Sequence, residues 1–205
     1  MTRFFCVVAL AVALLVGTSG PSHADIIFYS ANLSGPAESP PNASPGVGFA
    51  FLTLDDSVHT LRVQVTFSGL LGTTTAAHIH TPTAVAGVGT AGVATTTPTF
   101  AGFPLGVTSG TYDNTLNLLN ATSYNPAFVT LNGGTIAGAE AALLSGLAAG
   151  KAYLNIHSSV FGGGEIRGFL APAAVPEPAS LLAWGISAFG LIFVGRRQAR
   201  ISALR

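Results

Sequence analysis

The 205 residues predict a mainly β fold, a sandwich or barrel of short strands with one short helix, lying between two apolar ends. Three observations lead there. Seven short runs carry strand-like patterning, clusters of Gly, Pro, Asn and Asp separate them, and a single stretch in the body carries a helical period.

The clearest strand is Leu61 to Phe67, where Leu, Val, Val and Phe alternate with Arg62, Gln64 and Thr66. A period of two places one set of side chains on a buried face and the other in water. The remaining strands are expected at Ile26 to Leu33, Val47 to Leu54, Ala76 to His80, Gly110 to Leu116, Lys151 to His157 and Glu165 to Leu170. Residues 136 to 149 read as the helix: Leu143, Leu144 and Leu147 form an apolar stripe, and Gly150 stops it. Thr81 to Phe100 has Thr, Ala, Gly and Val but no charge, and is expected to be a long irregular loop or weak edge strands.

The composition is 49% hydrophobic and 8% charged, with Gly 25 and Pro 12, which excludes a disordered polyelectrolyte and a coiled coil. The formal net charge of +0 hides a segregation. Four of the eight basic residues, Arg196, Arg197, Arg200 and Arg205, lie in the last ten positions. Between Asp25 and Pro178 three basic residues stand against eight acidic ones, a net of −5, and such a body repels phosphate backbones. Nucleic acid is therefore not an expected partner.

The ends read as addresses. Met1 to Ala24 opens with Arg3, continues through an uncharged apolar stretch and closes on Ser22-His23-Ala24, the pattern of a secretory signal peptide cleaved after Ala24. Cys6, the only cysteine, leaves with it, so the exported chain relies on apolar burial rather than disulfides. Ala179 to Gly195 is uncharged, seventeen residues long and followed by Arg196-Arg197, which predicts a short transmembrane helix with its basic end held in the cytoplasm. The expected organisation is a signal peptide at 1–24, a β-sandwich body at 25–174 and a membrane tail at 175–205.

Val175-Pro176-Glu177-Pro178, the helix and the arginines resemble the PEP-CTERM sorting signal of Gram-negative bacteria that export exopolysaccharide. That resemblance implies a precursor held transiently in the inner membrane and an exosortase-type protease acting near Pro176, Glu177 and Pro178. It also implies delivery to the cell surface or matrix. Three blocks of the body carry a second resemblance. They are Leu33 to Pro41, Ala76-Ala77-His78-Ile79-His80, and Tyr153 to His157 followed by Gly163-Gly164-Glu165-Ile166-Arg167-Gly168. In that order they are similar to the CHRD domain, named from chordin, apart from Thr81-Pro82 where the family usually has Gly-Pro. The resemblance implies an extracellular β-sandwich, immunoglobulin-like or superoxide-dismutase-like, and brings no established activity with it.

Chemistry is expected in two places. His78 and His80, two apart on a strand, project from one face roughly 6–7 Å apart, close enough to share a metal. His157 shares its own face with Tyr153 and Asn155, so three imidazoles with Glu165 would suit copper or zinc. The His-x-His spacing resembles that of the copper ligands of copper/zinc superoxide dismutases, although the histidines are few for that enzyme: His59 reads as part of a turn with Asp55 and Asp56. Glu165 and Arg167 are expected to pair or to bind backbone groups, and Glu38 to pin its proline-rich loop. The Gly87-Val88-Gly89-Thr90-Ala91-Gly92 run matches a dinucleotide fingerprint but has no helix after it. Neither a G-x-S-x-G elbow nor an H-E-x-x-H helix is present.

These observations give two expectations of different class. The first is a non-enzymatic surface or matrix module, without cofactor, that binds extracellular polysaccharide or a surface protein through an exposed patch such as Phe100, Phe103 or Phe161. The second is a copper- or zinc-binding redox protein built on His78, His80 and His157.

Overall fold

The computed structural model describes residues 26–173. The expected signal peptide, with Ala24, and the expected tail, with Pro176, Glu177, Pro178 and the transmembrane helix, lie outside the described residues. Among the described residues no helix is long and apolar enough to cross a membrane.

Eight strands form the framework: β1 (Ile26–Ser34), β2 (Val47–Asp55), β3 (Thr60–Ser68), β4 (Thr74–His80), β5 (Gly110–Asn117), β6 (Tyr153–Ser158), β7 (Ile166–Phe169) and β8 (Ala171–Pro172). They lie in one hydrogen-bonded sheet of order β4-β6-β7-β1-β2-β3-β5, with β8 also on β1, and the named pairings are antiparallel. The sheet curls until residues of both its ends line one core. The expected sandwich is thus two halves of a continuous sheet, joined where β7 meets β1 at Ser34 and Arg167 and β8 meets β1 at Tyr29 and Ser30.

Alternation explains which face points inward. Leu61, Val63, Val65 and Phe67 of β3 pack with Ala50, Leu52 and Leu54 of β2, with Ala77 and Ile79 of β4, and with Leu154 and Ile156 of β6. Helix α2 (Ile136–Ala148) adds Ala139, Leu143 and Leu147 to the same core. Thr135 accepts from the Gly138 N–H at its start, and Gly150, at φ +65°, follows its end, as the sequence predicts.

Beside the expected helix the structure has a further six-residue turn of helix, α1 (Pro126–Leu131). Asn125 caps it by accepting from the Ala127 N–H, Pro126 opens it, and Phe128 buries beneath it. The expected aromatic patch is corrected. Phe100 and Phe103 are buried, stacked on Tyr112 and Phe67 at centroid distances of 5.6 Å.

The threonine-rich loop after β4 is irregular, as expected, and it has a structural task. β4 would otherwise leave one edge unpaired, a liability for any sheet. Ala94 and Phe100 donate backbone N–H groups to the carbonyls of Ile79 and Ala77. The hydroxyls of Thr95 and Thr99 accept from the N–H groups of Ile79 and Ala77, both at 2.9 Å.

Gly168 lies against β1 at the joint between the two halves. A Cβ there would overlap the Asn32 carbonyl oxygen, which is backbone and has no room to retreat. Gly168→Ala is expected to cost about 1–3 kcal/mol in urea unfolding, the range for overpacking a closed site; an unchanged midpoint would mean the joint can spread.

Candidate metal site

The core side of β4 and β6 leaves the opposite side of both strands to His78, His80, Tyr153, Asn155 and His157. The ladder sets Ala76 opposite His157, His78 opposite Asn155 and His80 opposite Tyr153. Residues paired in this way share a face, so the register alone brings the three histidines together. One ring nitrogen from each lies within 4.8 Å of those of the other two. The arrangement expected from the sequence is present.

This outer face is buried too. The loop after β4 and the segment after β1 fold across it, and His78 and His80 are buried while His157 is partly so. Each ring is fixed through Nδ1: His78 to the Pro98 carbonyl at 3.2 Å, His80 to that of Ala91 at 2.8 Å, and His157 to that of Gly162 at 2.9 Å. A carbonyl can only accept, so Nδ1 carries the proton in all three rings. A neutral ring then has a bare Nε2 lone pair. The Nε2 atoms of His78 and His157 face each other at 2.9 Å, and that of His80 is buried without a partner among the described residues.

Electrostatics keeps the rings neutral. Burial, reinforced by His80 and His157, pulls His78 down to about 3. Burial also pulls His80 down to about 4, the bond to Ala91 opposing it in part while His157 and Arg167 add to it. His157 is lowered mainly by burial. Protons are therefore scarce at the three clustered rings.

The flanking charges belong to a second group. Arg167, opposite Asn155 on β7, donates to the carbonyls of Ala37 and Gly89, the latter at 3.0 Å. Its guanidinium lies 4.8 Å from the centre of the Tyr153 ring, and that ring stacks on His80 at 4.6 Å and 6°. Glu38 stands 3.8 Å from Arg167. Burial pushes the Glu38 carboxyl up to about 7, against the lowering influence of Arg167 and a bond from Ser39.

Glu165 does not join the histidines, a correction to the expected four-residue set. Its carboxylate accepts from Ser44 Oγ at 2.6 Å and from the N–H groups of Leu71 and Gly72. Burial alone would raise its pKa, but the bonds from Ser158, Ser44, Leu71 and Gly72 hold it below the usual value. These bonds tie the β3–β4 turn and the segment before β2 to β7, so Glu165 is a structural brace. Nor does it pair with Arg167, whose acidic neighbour is Glu38. His59 lies elsewhere, bonded to Glu140 of α2 at 2.8 Å. The sequence placed Asn155 on the face of His157 without giving it a role, and it left no sign of the carbonyls of Ala91, Pro98 and Gly162.

Residues 29–170 match the family described as CHRD domain. Neither a curated protein nor a solved structure matches the chain.

The lowered histidines carry a pH signature. Below their ordinary value of 6.5 the unfolded chain takes up protons that folded His78 and His80 refuse until about 3 and 4, so stability falls as the pH drops through this window. Glu38 acts in the opposite sense between 4.5 and about 7, one group against three. Urea unfolding of metal-free protein is expected to show a midpoint that declines from pH 6.5 to pH 4, and a shallower decline in His78→Asn/His80→Asn. Equal slopes would contradict buried neutral rings.

Proposed function

The chain belongs to the CHRD domain family, and we propose that it is an exported domain that binds one copper or zinc ion through Nε2 of His78, His80 and His157. One observation carries this reading: three neutral imidazoles, each with its Nδ1–H spent on a carbonyl, converge on a buried spot that offers their lone pairs no proton. A histidine pair held only by hydrogen bonding needs a proton between the two Nε2 atoms. One ring would then be an imidazolium, and burial opposes that charge. A divalent cation supplies the missing positive charge and uses the lone pairs directly.

The donor set suits the ion. Neutral imidazole fits copper and zinc, and bonds from the far ring nitrogen to backbone carbonyls are the usual means of orienting such ligands. At about 2.0–2.1 Å from one zinc, the three nitrogens would stand roughly 3.3–3.4 Å apart. The 2.9 Å between His78 and His157 needs only a small opening to reach that spacing.

Export is proposed from the ends of the chain. The amino-terminal pattern would direct the body across the inner membrane, and the Val175 to Arg200 segment would hold the precursor there until an exosortase-type protease acts near Pro176 to Pro178. The product would sit at the surface or in the matrix of a Gram-negative bacterium, beside extracellular polysaccharide and surface proteins. The proposed role is binding rather than turnover, and redox or dismutase-like activity is no part of it.

Purified protein is expected to take up one equivalent of Cu(II) or Zn(II) by equilibrium dialysis with metal analysis. His78→Ala should weaken uptake more than about 100-fold, beyond the loss typical of an outer-shell change. Failure of both metals to bind the parent protein ends the proposal.

A further inference from the structure

Among the described residues three buried side-chain atoms lack a hydrogen-bond partner: His80 Nε2, Glu38 Oε1 and Asn155 Oδ1. With His80 in its fixed tautomer and the Glu38 carboxyl ionised, all three are acceptors. Orphaned acceptors gathered on one buried face call for a common explanation, because each costs free energy while it stays unpaired. A metal on the three imidazoles satisfies His80 and leaves the two oxygens.

The position of those oxygens is defined by the sheet. Asn155 is opposite His78 on one side and opposite Arg167 on the other, and it precedes His157 by two residues on the same face. It therefore stands between the histidines and the Glu38–Arg167 pair. A Cβ built on Gly164 would lie 2.6 Å from both amide atoms of Asn155 and 2.7 Å from Glu38 Oε1, so the two acceptors lie close together against the bare Cα of that glycine. Gly164 adopts φ +130°, which L side chains rarely take, so a side chain is excluded there by conformation as well as by room.

Resting on the metal reading above, we infer that the ion keeps a fourth, exchangeable ligand, a water molecule that donates its two hydrogens to Asn155 Oδ1 and Glu38 Oε1. Three protein ligands leave one position of a tetrahedral ion open. A coordinated water gives its lone pair to the metal and turns both hydrogens outward, the complement of two acceptors. Arg167 stands 3.8 Å from the Glu38 carboxylate while its own N–H groups are spent on Ala37 and Gly89. Glu38 and Asn155 are thus positioning residues for a site that also admits a small monoanion in place of water. A half-turn of the Asn155 amide would instead pair it with Glu38, leaving no role for the water.

The two arrangements separate in copper-loaded protein titrated with azide at pH 8, where the Glu38 carboxyl, at about 7, is mostly ionised. Copper content is measured first, and the azide-to-copper charge-transfer band then reports ligand exchange. The expected result is saturable binding of one azide. Glu38→Gln, which removes a negative charge beside the ligand, should bind azide about tenfold more tightly, and Asn155→Asp, which adds one, about tenfold more weakly. Opposite shifts in two near-isosteric variants are not produced by a general loosening of the fold, and either variant alone tests the sign if the other does not fold. Retained copper with no azide band, or with azide affinity unmoved by the substitutions, overturns the fourth ligand and leaves the three-histidine site standing. Absence of copper uptake overturns the exchangeable fourth ligand, and absence of zinc uptake as well overturns the three-histidine site.

Discussion

The structure turns on the burial of a polar sheet face. A sheet with alternating side chains can give only one face to a hydrophobic core, and here the other face of β4, β6 and β7 is covered as well. Imidazoles, an amide, a carboxylate and a guanidinium are withdrawn from water there, and each must find partners within the protein. Backbone carbonyls of the covering segments, Ala37, Gly89, Ala91, Pro98 and Gly162, meet most of the demand. Because those carbonyls only accept, they set the protonation of the rings beneath them. The loops thereby decide the chemistry of the strands.

The same constraint accounts for features that look unrelated. Thr95 and Thr99 close the edge of β4 while their loop carries Ala91 and Pro98 to the histidines. Glu165 braces the turn after β3 with the bonds it receives from Ser44, Leu71 and Gly72, which removes it from the metal set. Gly168 permits β7 to approach β1, and Arg167 beside it reaches the segment after β1. The Gly-Glu-Ile-Arg-Gly run thus supplies a brace, a core side chain, a charge and a joint within five residues.

Much of this was legible in the sequence because it depends on alternation. The strand at Leu61 to Phe67 and the helix stopped by Gly150 lie within a residue or two of their expected bounds. His78, His80 and His157 could be assigned to shared faces by counting in twos. Features set by position rather than side-chain type were not legible. Any residue can offer a carbonyl, so Ala91, Pro98 and Gly162 leave no mark. Helix α1 is six residues long, too short for a period to emerge, though Asn125-Pro126 marks its start. Phe100 and Phe103 sit in a glycine- and proline-rich stretch that reads as exposed, yet aromatic stacking draws them inward. Glu165 has the parity of Arg167, but hydrogen bonds from the β3–β4 turn take its carboxylate.

The account rests on the protonation of three rings, and long-range proton–nitrogen correlation spectra of the metal-stripped protein at neutral pH read that directly. The predicted result is a proton on Nδ1 and none on Nε2 in His78, His80 and His157, with all three Nε2 resonances shifting together when one equivalent of zinc is added. A proton on Nε2 of His78 or His157, unmoved by zinc, would make the pair an ordinary hydrogen bond and contradict the account.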